Sequence, residues 1–269
     1  MVRFPKLPED TLLRLLEPPT GQVRLIIDTD THNEIDDQYA LAWTLLSQDT
    51  LKLEGVLAEP YSHRHHRDPL IRAYDLLKAD RGAALEESLQ PYRRAALNMI
   101  GIGTTPRDIV YVDPAEGMEL SYQEILKVYG LLNENPEGKV FRGSPAYLTS
   151  LEEPIRSPAV EFLIERAMAS EEPLYVAAIG CLTNIASALL LEPDILSRIV
   201  VLWTASYPSC VNLSNVPSLN LVQDPLASRL LFDCGVPHVY LPGYYVGEQL
   251  KLSLPDMVRV VLESSGLLT

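Results

Sequence analysis

The stretch "VRLIIDTDTHNEIDDQYALAWTLLSQ" (residues 23–48) passes from an apolar run through a cluster of acidic residues into a second, periodic apolar run. Residues 23–28 are short, β-branched and continuous, as expected of a strand that is buried on both faces. Residues 36–48 carry apolar side chains at helical spacing and predict a helix. A buried strand followed directly by a helix is typical of an α/β fold.

The same alternation recurs along the rest of the chain. Residues 51–58 predict a second strand, which is followed by a long helical section. Further strand and helix runs then alternate, namely "LYVAAI" with "LTNIASALLLEP", "RIVVLW" with a polar loop, and "DPLASRLLFDCG" with "VPHVYLP". Parallel strands joined by right-handed crossovers predict a doubly wound, mostly parallel, Rossmann-like sheet, in a single domain over residues 1–269.

Several helix starts can be read from local signals. A short amphipathic helix is predicted to begin near Pro8. Ser121 and Glu124 have the spacing of a capping box. Ser157 and Pro158 resemble an N-cap and a first helical residue.

Composition limits the possible partners of the protein. The chain has 269 residues, of which 47% are hydrophobic, and a formal net charge of −14. This charge argues against a nucleic-acid polymer as partner, because such binders usually carry a basic face. No uninterrupted apolar stretch reaches the roughly 18–20 residues of a membrane span. The three cysteines follow no zinc-binding or disulfide spacing, which predicts a reduced, cytoplasmic location.

Five carboxylates lie close together at the carboxyl end of the first predicted strand, namely Asp28, Asp30, Glu34, Asp36 and Asp37. Open α/β sheets bind ligands outside the carboxyl ends of their strands, so the cluster lies at a candidate site. Like charges about 4 Å apart repel by roughly 1 kcal/mol in water and by about 4 kcal/mol at an effective dielectric of 20. Solvent, protons or a metal ion must therefore compensate them.

Three explanations of the acidic cluster stay open on these grounds. A solvated loop with a helix N-terminus accounts for the last two aspartates, which favour the helix dipole. It accounts poorly for Asp28 and Asp30, because these follow a buried strand. A phosphatase of the haloacid-dehalogenase type has an Asp-x-Asp motif at the same place, although that motif usually continues with Gly-Thr. The third explanation is a hard cation, since Ca²⁺ takes 6–8 oxygen ligands and tolerates irregular carboxylate clusters.

The stretch also resembles the signature of the inosine/uridine-preferring nucleoside hydrolases, which runs Asp-x-Asp-Pro-Gly-x-Asp-Asp after the first strand. The four aspartates are present as Asp28, Asp30, Asp36 and Asp37, while "THNEI" replaces the Pro-Gly-x linker. Residues 174–193 look like the family's strand-Gly-x-Leu-Thr-Asn-Ile-Ala segment. Residues 219–237 look like its Phe-Asn-x-x-x-Asp-Pro-Glu-Ala-Ala segment followed by Ser-Gly-Val-Pro. The resemblance covers most of residues 20–245, apart from an insertion at about 60–110, and implies a nucleoside hydrolase-like fold.

The resemblance implies a calcium-dependent N-glycosidase that hydrolyses a ribonucleoside or related riboside into ribose and free base. In the family, a calcium ion holds the ribose hydroxyls and the attacking water. The matching ligands are Asp30, Asp37 and the backbone carbonyl of Ile179, and Asp30 is also the general base. A bound cation lowers the pKa of its water, and a carboxylate takes the released proton. Hydrolysis then passes through an oxocarbenium-like state.

The other matching residues are expected to position the substrate. The resemblance implies that Asp36 and Asn220 bind the ribose, while Asp28 and Asn33 support the acidic loop. Without the resemblance, Asn220 would be read as an ordinary loop amide. The implied partner is a small-molecule nucleoside, and because the family often forms dimers or tetramers, a homo-oligomer is also expected.

Some nearby side chains have a structural and a functional interpretation. Thr183 and Asn184 are predicted to cap the following helix rather than to contact substrate. Asp224 is predicted to be a helix N-cap. Trp203 either stacks on a nucleobase or packs in the core.

The loop 61–69 carries His63, His65 and His66 and is expected to lie over the same edge of the sheet. Histidines there could recognise a base or supply a proton to the leaving group near neutral pH. A mobile, solvated loop is the favoured interpretation.

Two departures from the family pattern bear on activity. Ser218 stands where the family has a glutamate, and no late His-Asp or Trp-Asp pair follows Asn220 to supply a final calcium ligand. Because the chain ends at Thr269, the family's C-terminal segment is expected to be missing. These features predict weak calcium affinity, low turnover and some tendency to associate. They leave a catalytically impaired metal- or nucleoside-binding domain as the alternative function.

Overall fold

Strands and helices alternate along residues 3–208, 210, 218–251 and 253–265, which the computed structural model describes. The strands are β1 (Val23–Thr29), β2 (Leu51–Ala58), β3 (Val140–Arg142), β4 (Leu174–Ala178), β5 (Ile199–Thr204) and β6 (His238–Leu241). The helices are α1 (Glu9–Leu15), α2 (Ile35–Leu46), α3 (Arg67–Ala79), α4 (Arg93–Ile102), α5 (Pro114–Leu131), α6 (Pro158–Met168), α7 (Thr183–Leu191), α8 (Leu219–Val222), α9 (Pro225–Asp233) and α10 (Leu254–Ser265).

The strands form one sheet in the order β3-β2-β1-β4-β5-β6, and every neighbouring pair is parallel. In this order the chain proceeds from β1 outward to one edge and then from β4 outward to the other, as in a doubly wound α/β fold. The predicted fold class is therefore confirmed. The direction of winding changes between β1 and β4, and folds of this kind bind ligands in a crevice outside the carboxyl ends of the two strands at that point.

The core consists of two hydrophobic clusters, one on each face of the sheet. Leu25 and Ile27 of β1 belong to a cluster with side chains of α2 and α5. Ile26, between them, belongs to the other cluster, with side chains of α6, α7 and α9. Successive residues of a strand point to opposite faces, so a strand covered on both faces must be apolar throughout. This burial explains the continuous apolar run at the start of the sequence.

Most of the predicted elements agree with the structure, and β2 agrees residue for residue. Ser157 caps α6 by accepting a hydrogen bond from a backbone N–H at 3.3 Å. The predicted capping box at Ser121 is wrong, because α5 begins earlier, at Pro114. Its N-cap is Asp113, which accepts a backbone N–H at 3.1 Å. The short edge strand β3 was not predicted, since three residues carry too little periodicity to be recognised.

Helices α3 and α4 form a separate layer beside the main sheet. Their buried apolar side chains make up a cluster of their own, composed of Leu70, Ala73, Tyr74, Leu77, Leu85, Leu89 and Ala96. These helices lie within the range 60–110, which did not resemble the family in sequence. The insertion itself, with its boundaries, stays a prediction.

The last described helix, α10, begins at Leu254. The sequence of this segment predicts an amphipathic helix whose apolar face includes Met257, Val258, Val261 and Leu262. Helix α10 approaches α2, where the hydroxyl of Tyr39 lies 3.9 Å from the sulfur of Met257. The side chains of Val261 and Leu262, which were expected to complete its apolar face, lie outside the described residues. Of the helices that the described ranges contain, none is long and apolar enough to cross a membrane.

Candidate active site

The fold brings two of the predicted acidic residues together at the crevice. Asp30 directly follows β1, and Asp37 lies in the first turn of α2; their side chains are 2% and 4% exposed. The two carboxyl groups are close enough to share a hydrogen bond. Thr29 donates to Asp37 at 2.7 Å, and the amide of Asn33 donates to Asp30 at 3.1 Å. The predicted pair is thus a buried unit rather than part of a solvated loop.

The pair lies in an environment that disfavours two negative charges. Burial raises the pKa of Asp30 to about 7, and repulsion from Glu34 adds to this effect. Burial and the neighbouring Asp30 raise the pKa of Asp37 well above its usual range. Among the described residues, no basic side chain contributes to either shift. The pair therefore needs protons or a bound cation to compensate it at neutral pH.

A second pair of buried carboxyl groups lies behind the first. Asp28 and Glu59 are both fully buried at the ends of the neighbouring strands β1 and β2. Burial raises the pKa of Asp28 to about 7, and burial together with the nearby Asp28 raises the pKa of Glu59 well above its usual range. Shared burial therefore disfavours the state in which both groups are ionised. The sequence analysis missed Glu59, although this residue directly follows β2. Asp28 and Asp30 have the equivalent place at the end of β1.

Asn184 connects this second pair to the loop after β3. Its amide nitrogen donates to Asp28 at 3.0 Å, and its oxygen accepts the backbone N–H and the hydroxyl of Ser144 at 2.8 and 2.9 Å. Its backbone N–H donates to Glu59 at 2.8 Å. Every polar group of this side chain is therefore used inside the protein, which fixes the position of Asp28.

The prediction that Thr183 and Asn184 cap the following helix is wrong. α7 begins at Thr183, its N-cap is Leu182, and no side chain caps it. The hydroxyl of Thr183 instead donates to Asp224 at 2.8 Å. Asp224 itself is the N-cap of α9, as predicted, since its other oxygen accepts a backbone N–H at 2.9 Å.

Gly180 allows the end of β4 to approach the acidic loop. A Cβ atom at this position would lie 3.0 Å from an oxygen of Asp30 and 3.2 Å from its backbone nitrogen. Any larger residue would therefore push the carboxyl group away from its place. The indole of Trp203 donates to the carbonyl of Gly180 at 3.2 Å and is fully buried, so Trp203 packs in the core and cannot stack on a nucleobase.

Asn220 lies at the carboxyl ends of two strands on one side of β1. Its amide nitrogen donates to the carbonyl of Ile179 at 2.9 Å and to that of Thr204 at 3.1 Å. It thereby joins the carboxyl ends of β4 and β5. The Ile179 carbonyl keeps a second lone pair, because a carbonyl oxygen can accept two interactions. Asp36, by contrast, is exposed one residue before the buried Asp37.

The histidine loop, residues 61–69, packs against the acidic loop instead of extending into solvent. Tyr61 is buried, and its hydroxyl lies 2.6 Å from Nδ1 of His32. Nε2 of His63 lies 2.8 Å from the amide oxygen of Asn33. The interpretation as a solvated loop is wrong for these two residues, whereas the side chain of His65 is exposed.

The oxygen atoms at the crevice suit a hard cation better than a soft one. Asp30, Asp37 and the carbonyl of Ile179 offer only oxygen, which is what Ca²⁺ and Mg²⁺ prefer. The uncompensated charge of the buried pair also favours a cation. Within the described residues, however, no group of three or more His, Cys, Asp or Glu side chains is arranged to hold a metal ion. The described residues thus bring two carboxyl groups and one carbonyl oxygen to this edge of the sheet.

Comparison with known proteins places this arrangement in a family. The chain is 29% identical over 138 residues to the pyrimidine-specific ribonucleoside hydrolase RihB of Escherichia coli O1:K1 / APEC, which covers 51% of this chain and 43% of the relative. The chain thus spans about half the length of the curated relatives that it matches, between 43% and 62% for the first three.

Solved structures give matches over more of the chain. An inosine-uridine preferring nucleoside hydrolase from Bacillus anthracis matches with a TM-score of 0.49 and 18% identity, over 91% of this chain and 72% of that one. A purine-preferring ribonucleoside hydrolase from Gardnerella vaginalis matches with a TM-score of 0.46 and 19% identity, over 82% and 60%. The sequence model of the inosine-uridine preferring nucleoside hydrolases matches residues 25–265, so the chain belongs to that family.

Proposed function

We propose that the protein hydrolyses the N-glycosidic bond of a ribonucleoside or related riboside, giving ribose and free base, and that it requires calcium. The observation that carries this proposal is the buried pair Asp30 and Asp37, at the carboxyl end of β1 in a member of the nucleoside hydrolase family. Family membership also favours this activity over that of a phosphatase of the haloacid-dehalogenase type.

The candidate ligands of the cation are Asp30, Asp37 and the carbonyl of Ile179. A bound cation would neutralise the two carboxylates and lower the pKa of a coordinated water. Each of the three groups is fixed by the protein: Thr29 holds Asp37, Asn33 holds Asp30, and Asn220 holds the Ile179 carbonyl. Such a fixed set of oxygens needs little rearrangement when a cation binds.

Asp30 is the proposed general base. Its carboxylate accepts a proton from the attacking water, the water oxygen bonds to C1′ of the ribose, and the bond from C1′ to the base nitrogen breaks. The electron pair of that bond leaves with the base, which takes up a proton. A pKa raised to about 7 would make Asp30 a stronger base than an exposed aspartate, and a neighbouring cation would lower it again.

The remaining predicted residues are proposed to position the substrate. Asn220 and the exposed Asp36 flank the pair and would bind ribose hydroxyls. Asp28, held by Asn184, would support the loop from behind. A cytoplasmic location and a homo-oligomeric state also stay predictions, the first based on the cysteine pattern and the second on the family resemblance.

A second candidate is a domain that binds a nucleoside or a cation but turns over slowly or not at all. It is favoured by the lack, among the described residues, of a third acidic or histidine side chain beside Asp30 and Asp37. Two carboxylates and one carbonyl leave a calcium ion short of its preferred 6–8 oxygens unless water and substrate supply the rest. Both candidates predict calcium binding, and only the first predicts release of ribose.

The deciding experiment measures ribose released from inosine and from uridine by the purified protein, with added calcium and with a chelator. We expect calcium-dependent release by the wild type and a loss of about a hundredfold or more for Asp30→Asn, as is usual when a general base is removed. Asp49→Asn, at an exposed aspartate in the turn between α2 and β2, is the matched control and should behave as the wild type. Calcium binding without ribose release would support the second candidate.

A further inference from the structure

We propose that His63 is a positioning residue, which acts through Asn33 to hold the Asp30 carboxylate in place; this inference rests on the proposed function of Asp30. Nε2 of His63 lies 2.8 Å from the amide oxygen of Asn33. The amide nitrogen of Asn33 lies 3.1 Å from a carboxyl oxygen of Asp30. The three side chains therefore form one continuous line of hydrogen bonds that ends on the proposed base.

The direction of each hydrogen bond follows from the chemistry of its acceptor. In the ionised form that the proposed reaction requires, the Asp30 carboxylate only accepts, so the amide nitrogen of Asn33 must face it, as it does in the structure. The amide oxygen of Asn33 then faces His63, and Nε2 of His63 must carry the hydrogen that it donates. A flipped amide would bring its oxygen against the carboxylate, which is repulsive. The geometry thus assigns the Nε2–H tautomer, or the imidazolium, to His63.

Asn33 needs the hydrogen bond from His63 because its own loop restrains it only weakly. "THNEI" is longer than the Pro-Gly-x linker that it replaces, and a longer linker without proline or glycine restrains the backbone less. The backbone N–H of Asn33 donates to the carbonyl of Asp30 at 2.7 Å, which closes a turn but leaves the side chain free to rotate. The imidazole of His63 removes that freedom, because it holds the amide from the side opposite Asp30.

The histidine is itself held by the helical layer of α3 and α4. The ring of His63 stacks on that of His66, with centroids 6.2 Å apart and planes 19° apart. Nδ1 of His66 lies 3.0 Å from the hydroxyl of Tyr92. Residues between 60 and 110 therefore support the acidic loop, which gives this segment a role in the proposed site.

The first test compares steady-state hydrolysis of inosine by three variants. His63→Leu removes the donor, and we expect kcat to fall roughly ten- to a hundredfold, while KM changes little, because misplacement of a catalytic group mainly affects the chemical step. His63→Gln places an amide N–H near the position of Nε2 and should restore kcat to within a few fold of the wild type. Arg64→Leu, at the exposed residue next to His63, is the control and should leave kcat unchanged.

The second test needs no activity and reports on the hydrogen bond itself. In ¹⁵N NMR spectra of the imidazole groups, neutral His63 should carry its hydrogen on Nε2, with slow exchange against solvent, and Asn33→Ala should make that exchange fast. If the wild type hydrolyses no nucleoside, the proposed function fails. The NMR result still decides whether His63 donates a hydrogen bond to Asn33. An Nδ1–H tautomer for His63 would overturn the inference. The inference would also be overturned if kcat fell equally in His63→Gln and His63→Leu while circular dichroism showed both variants to be folded.

Discussion

Replacement of Asp30 by asparagine should have opposite effects on stability and activity. In the cation-free protein, the Asp30 carboxyl is buried beside Asp37, and its ionised form is disfavoured. Asparagine has nearly the same shape and no charge, and its amide can donate to the carboxyl of Asp37. We therefore expect Asp30→Asn to stabilise the cation-free protein at high pH while it abolishes hydrolysis.

The size of the effect follows from the pKa of Asp30. That pKa is about 7 in the folded protein, against 3.8 for an unperturbed aspartate. Between these values the folded state binds the proton and the unfolded state does not, so the free energy of unfolding falls as the pH rises. Each pH unit well below the folded pKa costs about 1.36 kcal/mol for one such group, and the loss levels off above pH 7, so the interval from pH 5 to pH 8 costs about 2.7 kcal/mol. Asp30→Asn should not show this decrease in the free energy of unfolding.

The assay is urea-induced unfolding at several pH values between 5 and 8, with a chelator present. The wild type should lose stability across this interval, and the variant should lose about 2.7 kcal/mol less, since one titrating group has been removed. Asp28 keeps its own contribution in both proteins, because its pKa is also raised to about 7. Asp49→Asn serves as the control and should follow the wild type. Parallel pH profiles for the wild type and Asp30→Asn would refute the assignment of a buried, uncompensated carboxyl at this position.

Three further changes test other parts of the structure. Asp37→Ala should abolish most of the rise in melting temperature produced by calcium, which for the wild type corresponds to about 2.7 kcal/mol at 100 times the Kd; an equal rise in both proteins would remove Asp37 from the site. Ser121→Ala should raise the free energy of unfolding by about 1 kcal/mol in urea titrations, because the fully buried hydroxyl has no hydrogen-bond partner among the described residues. Glu54→Ala should lower the free energy of unfolding by about 3 kcal/mol. The buried carboxylate of Glu54 pairs with Arg24 at 2.7 Å and with Arg166 at 2.8 Å, and its removal leaves the buried guanidinium of Arg24 without a counter-charge. Burial raises the pKa of Glu54, but the two arginines outweigh it and lower the pKa overall. The stabilisation by Glu54 is therefore present above about pH 4.5 and is lost as the pH falls. Urea titrations repeated at pH 3.5 and pH 7 would detect this loss.

The amino-acid sequence by itself determined the doubly wound sheet and indicated where the candidate site lies. Periodicity is a local property, so the continuous apolar run of residues 23–28 and the helical spacing after it were sufficient to place β1 and α2. The acidic motif at the end of that run indicated Asp30 and Asp37, because any residue at the carboxyl end of a parallel strand lies at the ligand-binding edge. The helix cap at Asp224 was equally local and equally predictable.

Only the tertiary structure decided which side chains meet at that edge. Glu59 lies 31 positions after Asp28 in the chain, and no spacing in the sequence indicates that their carboxyl groups share a buried space. The sequence also gave no reason to connect His63 with Asn33, because their contact depends on how the loops after β1 and β2 pack together. The same holds for Asn184, whose side chain bonds to Asp28 and Ser144 rather than to its own helix. Such contacts are formed between strands that are neighbours in the sheet but distant in sequence, and the folded sheet alone brings them into hydrogen-bonding distance.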